Sequence, residues 1–368
     1  NKTASLEESI AELQETNTMG SYEKNKVDRA YAKDVDSSYI EELEFFNGYG
    51  GFTKDGKEYV ITNPDTPTPW NNVIANPKFG TIVSNNACGF TYAYNSQMFK
   101  ITSWTNDIVI NDKSEGIKIN DVQVDPKIAR HGFGYSTFLH EGKDYELTTT
   151  QFVANEDTIK FYKSTLKNKT TENKKYKVTF WINPTFGPNE EKSSRYLLSD
   201  YFEKMNAVLT RNVYNINFAH ITAFMSSTLP IKSYSIDRVI MKSIDVEIEL
   251  KPGEEKEFSF MLGTEIEHEK VKALIDKYSS EKTINNELKT VKTKWDKELS
   301  TVKVKTSDKA FDNVMNGWYL YQALSSRIMA KAGFYQVSGA FGYRDQLQDS
   351  MNIAMIKPDF TRDQILIN

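Results

Sequence analysis

The sequence predicts an antiparallel β-sandwich followed by a helical linker and the first helices of an all-α region. Two observations carry this prediction. Between residues 43 and 264, short runs alternate apolar and polar positions and are separated by Gly, Pro and Asn turns. After about residue 264, apolar residues recur at spacings of three and four. The predicted parts are an N-terminal helical or extended segment (1–42), the sandwich (43–264), the linker (265–300) and the start of a helical domain (301–368).

Strands and turns account for the predicted sandwich. The stretch LEFFNGYGGFTKDGKEYVI is typical of a strand, a tight glycine turn, a DG hairpin and a second strand. YKVTFWI alternates with period two, and IDVEIELKPGEEKEFSFML does so around a PG turn. In front of these strands, SLEESIAELQE predicts a short amphipathic helix. TPTPWNNVIANPKFG, with three prolines, predicts a rigid ordered loop.

Helical spacing begins after the last predicted strand. Val271, Leu274 and Ile275, and then Leu288, Val291 and Trp295, fall on one face, whereas Lys and Glu occupy the other. Ser307 and Asp308 are candidate caps for KAFDNVMNGWYLYQALSSRIMA, whose broad apolar stripe indicates core packing. We expect a further helix from about Asp345 through MNIAMI to the residue before Pro358, and another in TRDQILIN.

Composition excludes several classes of protein. A net charge of −4 argues against a general nucleic-acid binder, and no run approaches the roughly 20 apolar residues of a membrane span. The single cysteine, Cys88, permits no internal disulfide and fits a reducing compartment. Four histidines without CxxC or HExxH spacing predict no metal site. We expect no cofactor and a cytoplasmic location, or a cytoplasmic-side region of a larger membrane synthase.

The segment FGYRDQLQD gathers an arginine, two acids and two amides at the predicted start of a helix. Asp345 and Asp349 are four residues apart and share a helical face, with Gln348 adjacent. Arg344 offers a planar fork of donors, and carboxylates accept hydroxyl hydrogens, so the cluster matches the vicinal hydroxyls of a sugar. The alternative is an Arg–Asp salt bridge with acids that stabilise the first helical turn.

A second segment, ARHGFGYSTFLHEG, carries two of the four histidines between glycines and aromatic residues. One interpretation is a loop that reaches into a cleft, with His131, Tyr135 and His140 as candidate ligand contacts. Gln336, in the glycine-punctuated GFYQVSGAFG, is a further candidate. The other interpretation is a strand, a turn and a strand with one hydrogen-bonded histidine. Spacing alone leaves both open.

Several long motifs, in order, resemble one family. FFNGYGGFTKDGKEYVI, TPTPWNNVIANPKFGTIVSNNACGFTYAYNSQ, SWTNDIV, RHGFGYSTFLHEG, NGWYLYQALSSRI and GAFGYRDQLQD are together similar to carbohydrate phosphorylases of glycoside hydrolase family 94. The resemblance covers about residue 43 to the last residue. The form of TPTPWNNVIANPKFG and SWTND is closer to the β-1,2-oligoglucan phosphorylases and the cyclic β-1,2-glucan synthase C-terminal region than to cellobiose phosphorylases.

The resemblance implies a galactose-mutarotase-like β-supersandwich, a helical linker and an (α/α)6 barrel, in a homodimer. It implies cleavage of a β-glucoside by inorganic phosphate, with inversion, to give α-glucose 1-phosphate, and phosphate is then a co-substrate. It also implies that Arg344, Asp345 and Asp349 hold the glucose in subsite −1, supported by Gln348. The partners implied are a β-glucan oligosaccharide, phosphate and the remainder of the protein's own barrel.

The sequence departs from the family in one respect. The family's general acid lies in a DWND-like motif, and none occurs among these residues, since DFTRD does not match it. We therefore expect no catalytic residue in this chain and no activity from the chain alone. Three alternatives stay open: a non-catalytic carbohydrate-binding or chain-length-controlling region of a cyclic β-1,2-glucan synthase, a cellobiose-type phosphorylase, and a glycoside hydrolase built on the same two folds.

Overall fold

A computed structural model describes residues 42–87, 89–104, 114–237, 241–333, 337, 339 and 342–367. The expected N-terminal helix, Cys88 and Gln336 lie outside the described residues.

The strands run from residue 50 to residue 265 and every pairing between them is antiparallel. In chain order they are β1 (Gly50–Phe52), β2 (Glu58–Ile61), β3 (Asn71–Ala75), β4 (Phe79–Ser84), β5 (Gly89–Ala93), β6 (Lys100–Thr102), β7 (Glu115–Ile119), β8 (Val122–Gln123), β9 (Ile128–Gly132), β10 (Tyr135–Glu141), β11 (Tyr145–Val153), β12 (Ile159–Asn168), β13 (Lys174–Ile182), β14 (Pro184–Gly187), β15 (Leu197–Phe202), β16 (Ala207–Asn212), β17 (Thr222–Ser227), β18 (Ser233–Ser235), β19 (Lys242–Leu250) and β20 (Glu255–Glu265).

Three sheets make two layers. A ten-stranded sheet in the order β1-β2-β9-β10-β11-β12-β20-β17-β16-β15 forms one layer, and two five-stranded sheets, β18-β19-β13-β7-β8 and β14-β6-β5-β4-β3, form the other. Alternation along β12 and β20 explains the packing, because Tyr162, Phe260 and Leu262 point into the core between the layers. Phe161 and Met261 point to the opposite face of the large sheet. The predicted antiparallel sandwich is confirmed.

The described helices follow the strands, apart from one short helix between β14 and β15. They are α1 (Glu190–Ser193), α2 (His268–Lys277), α3 (Glu281–Leu299), α4, α5 (Tyr343–Met351) and α6 (Pro358–Ile367). Helix α4 is continuous and alternates α and π turns over Lys309–Asn313, Val314–Trp318, Tyr319–Gln322 and Ala323–Ala330. Two 3₁₀ turns, Ser194–Tyr196 and Glu203–Met205, flank β15. Asp308 caps α4 as predicted, accepting hydrogen bonds from the backbone N–H groups of Ala310 and Phe311.

A second apolar core joins the helices to the outer face of the large sheet. Trp295 of α3 and Trp318 and Tyr321 of α4 pack with Phe133, at the tip of the β9–β10 hairpin. The hydroxyl of Tyr321 lies 2.8 Å from Oδ1 of Asn72 and 2.9 Å from the Val73 carbonyl, and it accepts a hydrogen bond from the Gly134 N–H. The start of the helical region is thus fixed on the sandwich by packing and by directed hydrogen bonds.

Two expectations about local structure are wrong. The predicted loop TPTPWNNVIANPKFG contains β3 and the start of β4, and the residues outside these strands are the proline-rich start and the turn at residues 76–78. The Asn76 side chain closes this hairpin, accepting hydrogen bonds from the N–H groups of Lys78 and Phe79. Helix α5 ends at Met351 rather than near Pro358, because the chain continues from there in i→i+3 turns. Pro358 is the first residue of α6. At this position a helix does not use the backbone N–H that proline lacks.

Candidate functional site

The residues expected to bind sugar lie along helix α5. Gly342 precedes the helix and offers no side-chain cap, and Asp345 lies in its first turn. Arg344 is 82% exposed, and its Nη2 lies 3.7 Å from Oδ1 of Asp345, whose side chain is 54% exposed. Gln348 is also exposed. Solvent screening makes an ion pair of this kind weak, so both groups are available to a ligand.

Asp349 has a different environment from the other members of the cluster. Its side chain is 20% exposed. Its Oδ2 accepts a hydrogen bond from Nε of Arg327 at 3.0 Å, and Nη2 of the same guanidinium lies 2.9 Å from this oxygen. Arg327 belongs to the last turns of α4. The structure therefore brings together the four predicted residues on one helix but pairs Asp349 with an arginine that the sequence prediction missed.

No strong signal in the sequence marks Arg327. It is a single basic residue close to the end of an apolar helix, a position where arginine commonly interacts with the last carbonyl groups. Its ion pair with Asp349 forms because α4 and α5 pack against each other, although about a dozen residues separate the two helices in sequence.

The sandwich holds the connection between α4 and α5 in place. Nδ2 of Asn95, in the β5–β6 turn, donates to the Gly339 carbonyl at 2.8 Å, and the hydroxyl of Ser96 donates to the Ala330 carbonyl at 2.8 Å. Gly339 has a φ of +65°, and a Cβ there would lie 2.1 Å from Oδ1 of Asn95. A residue other than glycine would therefore displace the turn that leads to α5.

The histidine segment is a strand, a turn and a strand rather than a loop, although some of its side chains border clefts. His131 lies in β9 and is 5% exposed. Its Nε2 donates to the Trp70 carbonyl at 3.0 Å, and its Nδ1 therefore accepts from the hydroxyl of Ser136 at 2.8 Å. Burial lowers the pKa of His131 to about 4. This histidine is neutral and has both nitrogens bonded; His140, in β10, is likewise 5% exposed.

Tyr135, the third candidate of this segment, borders a charged cleft of about 600 Å³. Its hydroxyl donates to Oε1 of Glu58 at 2.6 Å, while Oε2 of Glu58 accepts two hydrogen bonds from Arg130. The Lys292 ammonium lies 3.8 Å from the centre of the Tyr135 ring. Burial and the neighbouring Glu58 carboxylate raise the pKa of Tyr135. These groups join β2, β9, β10 and α3, and they are bonded to one another rather than gathered with the α5 cluster.

The described ranges of the chain contain no group of three or more His, Cys, Asp or Glu side chains arranged to hold a metal ion. Within the same ranges, no helix is both long enough and apolar enough to cross a membrane.

Comparison with known proteins gives two family matches. The model of the glycosyl hydrolase 94 supersandwich domain matches residues 57–240 and 239–281, and the model of the glycosyl hydrolase 94 superfamily catalytic domain matches residues 294–368. Among solved structures, a galactose mutarotase-like protein from Lactobacillus casei aligns with a TM-score of 0.34 and 10% identity, over 53% of this chain and all of that one.

Two curated relatives are similar to this chain over most of its length. The cyclic beta-(1,2)-glucan synthase NdvB of Rhizobium meliloti (strain 1021) is 31% identical over 88% of this chain and 13% of its own length. The N,N'-diacetylchitobiose phosphorylase of Vibrio proteolyticus is 23% identical over 86% of this chain and 46% of its own length. The chain thus spans less than half the length of either relative. Because the supersandwich model matches more than half of the residues, this chain belongs to glycosyl hydrolase family 94.

Proposed function

We propose that this chain supplies the sandwich and the sugar-binding part of an inverting β-glucan phosphorylase. The observation that carries the proposal is the α5 cluster. It presents an exposed guanidinium, an exposed carboxylate and an exposed amide on the first turns of one helix, and a second carboxylate follows one turn later. This combination of planar donors and pure acceptors matches the vicinal hydroxyls of a pyranose ring.

The proposed reaction needs two further groups. Phosphate attacks the anomeric carbon from the face opposite the leaving group, the C1–O glycosidic bond breaks, and a carboxylic acid protonates the departing oxygen. The products are α-glucose 1-phosphate and a saccharide shortened by one unit. In this proposal Arg344, Asp345, Asp349 and Gln348 hold the ring, and the acid and the phosphate-binding groups come from a part of the protein outside this chain.

Exposed apolar side chains support a role as part of a larger domain. Met351, Met355, Ile365, Leu366 and Ile367, in and around α5 and α6, are 60–76% exposed. Exposed apolar side chains this close together mark a surface that other structure covers. Further helices of the same barrel are the occupant we propose, and a homodimer is the assembly that we expect from the resemblance.

We propose β-1,2-linked gluco-oligosaccharides as the substrate, since the 31% identical relative is named a cyclic beta-(1,2)-glucan synthase. The same relative favours a second candidate function, a non-catalytic carbohydrate-binding or chain-length-controlling region of such a synthase. A cellobiose-type phosphorylase differs from the first candidate in linkage alone.

The test is an assay of phosphate-dependent cleavage by the full-length protein that contains this chain. Sophoro-oligosaccharides and cello-oligosaccharides are incubated with and without phosphate, and glucose 1-phosphate and glucose are measured. We expect glucose 1-phosphate from the β-1,2 series only, and only with phosphate. Release of free glucose without phosphate would indicate a hydrolase and contradict the proposal, and binding without cleavage would favour the second candidate.

A further inference from the structure

We infer that Arg327 is a positioning residue that fixes Asp349 as a hydroxyl acceptor and leaves Arg344 free for the substrate. The inference rests on the proposed function and deepens it, because it adds a residue from another helix to the sugar-binding cluster. Arg327 is expected to pre-organise the cluster in the absence of sugar and not to touch the reacting atoms.

The first step is the geometry of the pair. Nε and Nη2 of Arg327 lie 3.0 and 2.9 Å from the same oxygen, Oδ2 of Asp349. Two nitrogens of one planar group on a single oxygen hold Oδ2 in place beside the guanidinium. Oδ1 of Asp349 makes no hydrogen bond within the described part of the chain. Arg327 therefore holds Oδ2 of Asp349, and among the described residues Oδ1 remains open to a ligand.

The second step is the anchoring of Arg327 itself. Lys331 ends α4 in a left-handed conformation with φ +52°, and the Ala332 N–H donates to the Ser326 carbonyl. The hydroxyl of Ser326 donates to the Ala332 carbonyl at 2.5 Å, and both residues are buried. These bonds close the end of α4 beside Arg327. The guanidinium thus projects from a rigid helix end, and pre-organised sites need this kind of support.

The third step concerns charge. Asp345 and Asp349 lie four residues apart on α5, a spacing at which like charges repel. The Arg327 guanidinium next to Asp349 offsets this repulsion. If Arg344 had to neutralise Asp349, its own donors would be used up. Instead Arg344 contacts only Asp345 among the described residues, at 3.7 Å, and stays 82% exposed. Its donors are therefore available to a sugar hydroxyl.

A purely structural role is the competing explanation, because the pair also ties α4 to α5. Both roles act through the Arg327–Asp349 pair, so a double-mutant cycle tests whether the pair matters, and a second measurement separates the roles. A tie between helices contributes to stability, so its loss lowers the melting temperature and lowers activity only to the extent that the protein unfolds. A positioning residue lowers kcat/KM in protein that is still folded at the assay temperature.

The experiment is a double-mutant cycle in the full-length protein. Arg327→Ala, Asp349→Ala and the double variant are compared by kcat, KM and melting temperature in phosphorolysis. We expect Arg327→Ala to lower kcat/KM roughly 10- to 100-fold, and the double variant to be no worse than Asp349→Ala alone. Arg327→Lys keeps the charge but not the planar fork, so we expect it to recover only part of the loss.

Arg362→Ala is the matched control, because Arg362 is an exposed arginine of α6 whose Nη1 lies 3.8 Å from Asp363. It is expected to keep wild-type kinetics. Additive losses in the double variant, or a loss of activity that merely follows the melting temperature, would overturn the inference. A wild-type protein that releases no glucose 1-phosphate would overturn the proposed function and this inference with it, so the two failures are distinguishable.

Discussion

At the scale of single residues, His131 illustrates how a structure decides between two interpretations of a motif. Two histidines in a glycine- and aromatic-rich segment are compatible with a ligand site or with buried, bonded side chains. The hydrogen bonds of His131 to Trp70 and Ser136 occupy both ring nitrogens. These hydrogen bonds join β9 to β10 and to the loop before β3. The contact with Trp70 is distant in sequence, so the spacing of residues within the motif does not predict it.

His131 makes folding stability depend on pH. Burial lowers its pKa from 6.5 to about 4, although the Trp70 carbonyl acts in the opposite direction. The unfolded chain therefore binds a proton near pH 6.5, and the folded protein binds it only near pH 4. The stabilisation is complete above pH 6.5 and is lost as the pH falls from 6.5 to 4, by roughly 3 kcal/mol.

The measurement is the free energy of unfolding as a function of pH, for the wild type and for His131→Gln. We expect the variant to be less stable at pH 7 and to lose less stability on acidification between pH 6.5 and 4. His220→Gln, which changes an exposed histidine, serves as the control. Parallel pH profiles for the wild type and His131→Gln would refute the assignment.

At the scale of secondary-structure elements, the strongest predictions from sequence concern strands with strict alternation. YKVTFWI lies within β13, and the PG turn separates β19 from β20, with Gly253 at φ +71°. The prediction of a loop at TPTPWNNVIANPKFG failed because contacts with residues distant in sequence help to determine the local structure there. Asn76 closes the β3–β4 turn partly by donating to the carbonyls of Ala154 and Asp157, which are distant in sequence.

The hairpin tip between β9 and β10 is the element that docks the helices on the sandwich. Gly134 has a φ of +83°, and a Cβ there would lie 2.3 Å from Nε1 of Trp295 and 2.9 Å from Cγ1 of Val291. Gly134→Ala therefore combines backbone strain with overpacking, and we expect it to lower the free energy of unfolding by about 2–4 kcal/mol. Denaturant unfolding followed by tryptophan fluorescence measures this, since Trp295 lies at the contact.

Gly253→Ala is the matched control for Gly134→Ala. Gly253 also has a positive φ, of +71°, but a Cβ added there would have no neighbouring atom within 4 Å. This substitution reports backbone strain alone, with an expected cost of about 1–2 kcal/mol. Equal costs at the two glycines would mean that the hairpin tip is not tightly packed against α3.

At the scale of the whole molecule, the large sheet has two apolar faces, and each has a different partner. One face meets the two smaller sheets, and the other meets α2, α3 and α4. The order of sandwich and helices could be predicted from the change in periodicity near residue 264. The sequence does not predict which face of the large sheet meets the helices. Both faces of β12 and β20 are apolar, and periodicity alone does not distinguish them.

The candidate site shows the same division between what local sequence specifies and what packing adds. Arg344, Asp345, Gln348 and Asp349 could be named from spacing and from resemblance because they lie on one helix. Arg327 could not be named with them. Its contact with Asp349 requires the packing of α4 against α5, and the turn between these helices is held by Asn95 and Ser96 of the sandwich.

We propose that the start of α5 binds the sugar, and a substitution of Arg344 tests this most directly. Because this side chain is 82% exposed and contacts only Asp345 in the described structure, Arg344→Ala should not alter the fold. In the full-length protein, we measure phosphorolysis of sophoro-oligosaccharides together with the melting temperature. We expect a loss of kcat/KM of at least about 100-fold at an unchanged melting temperature. Wild-type kinetics in Arg344→Ala would contradict it.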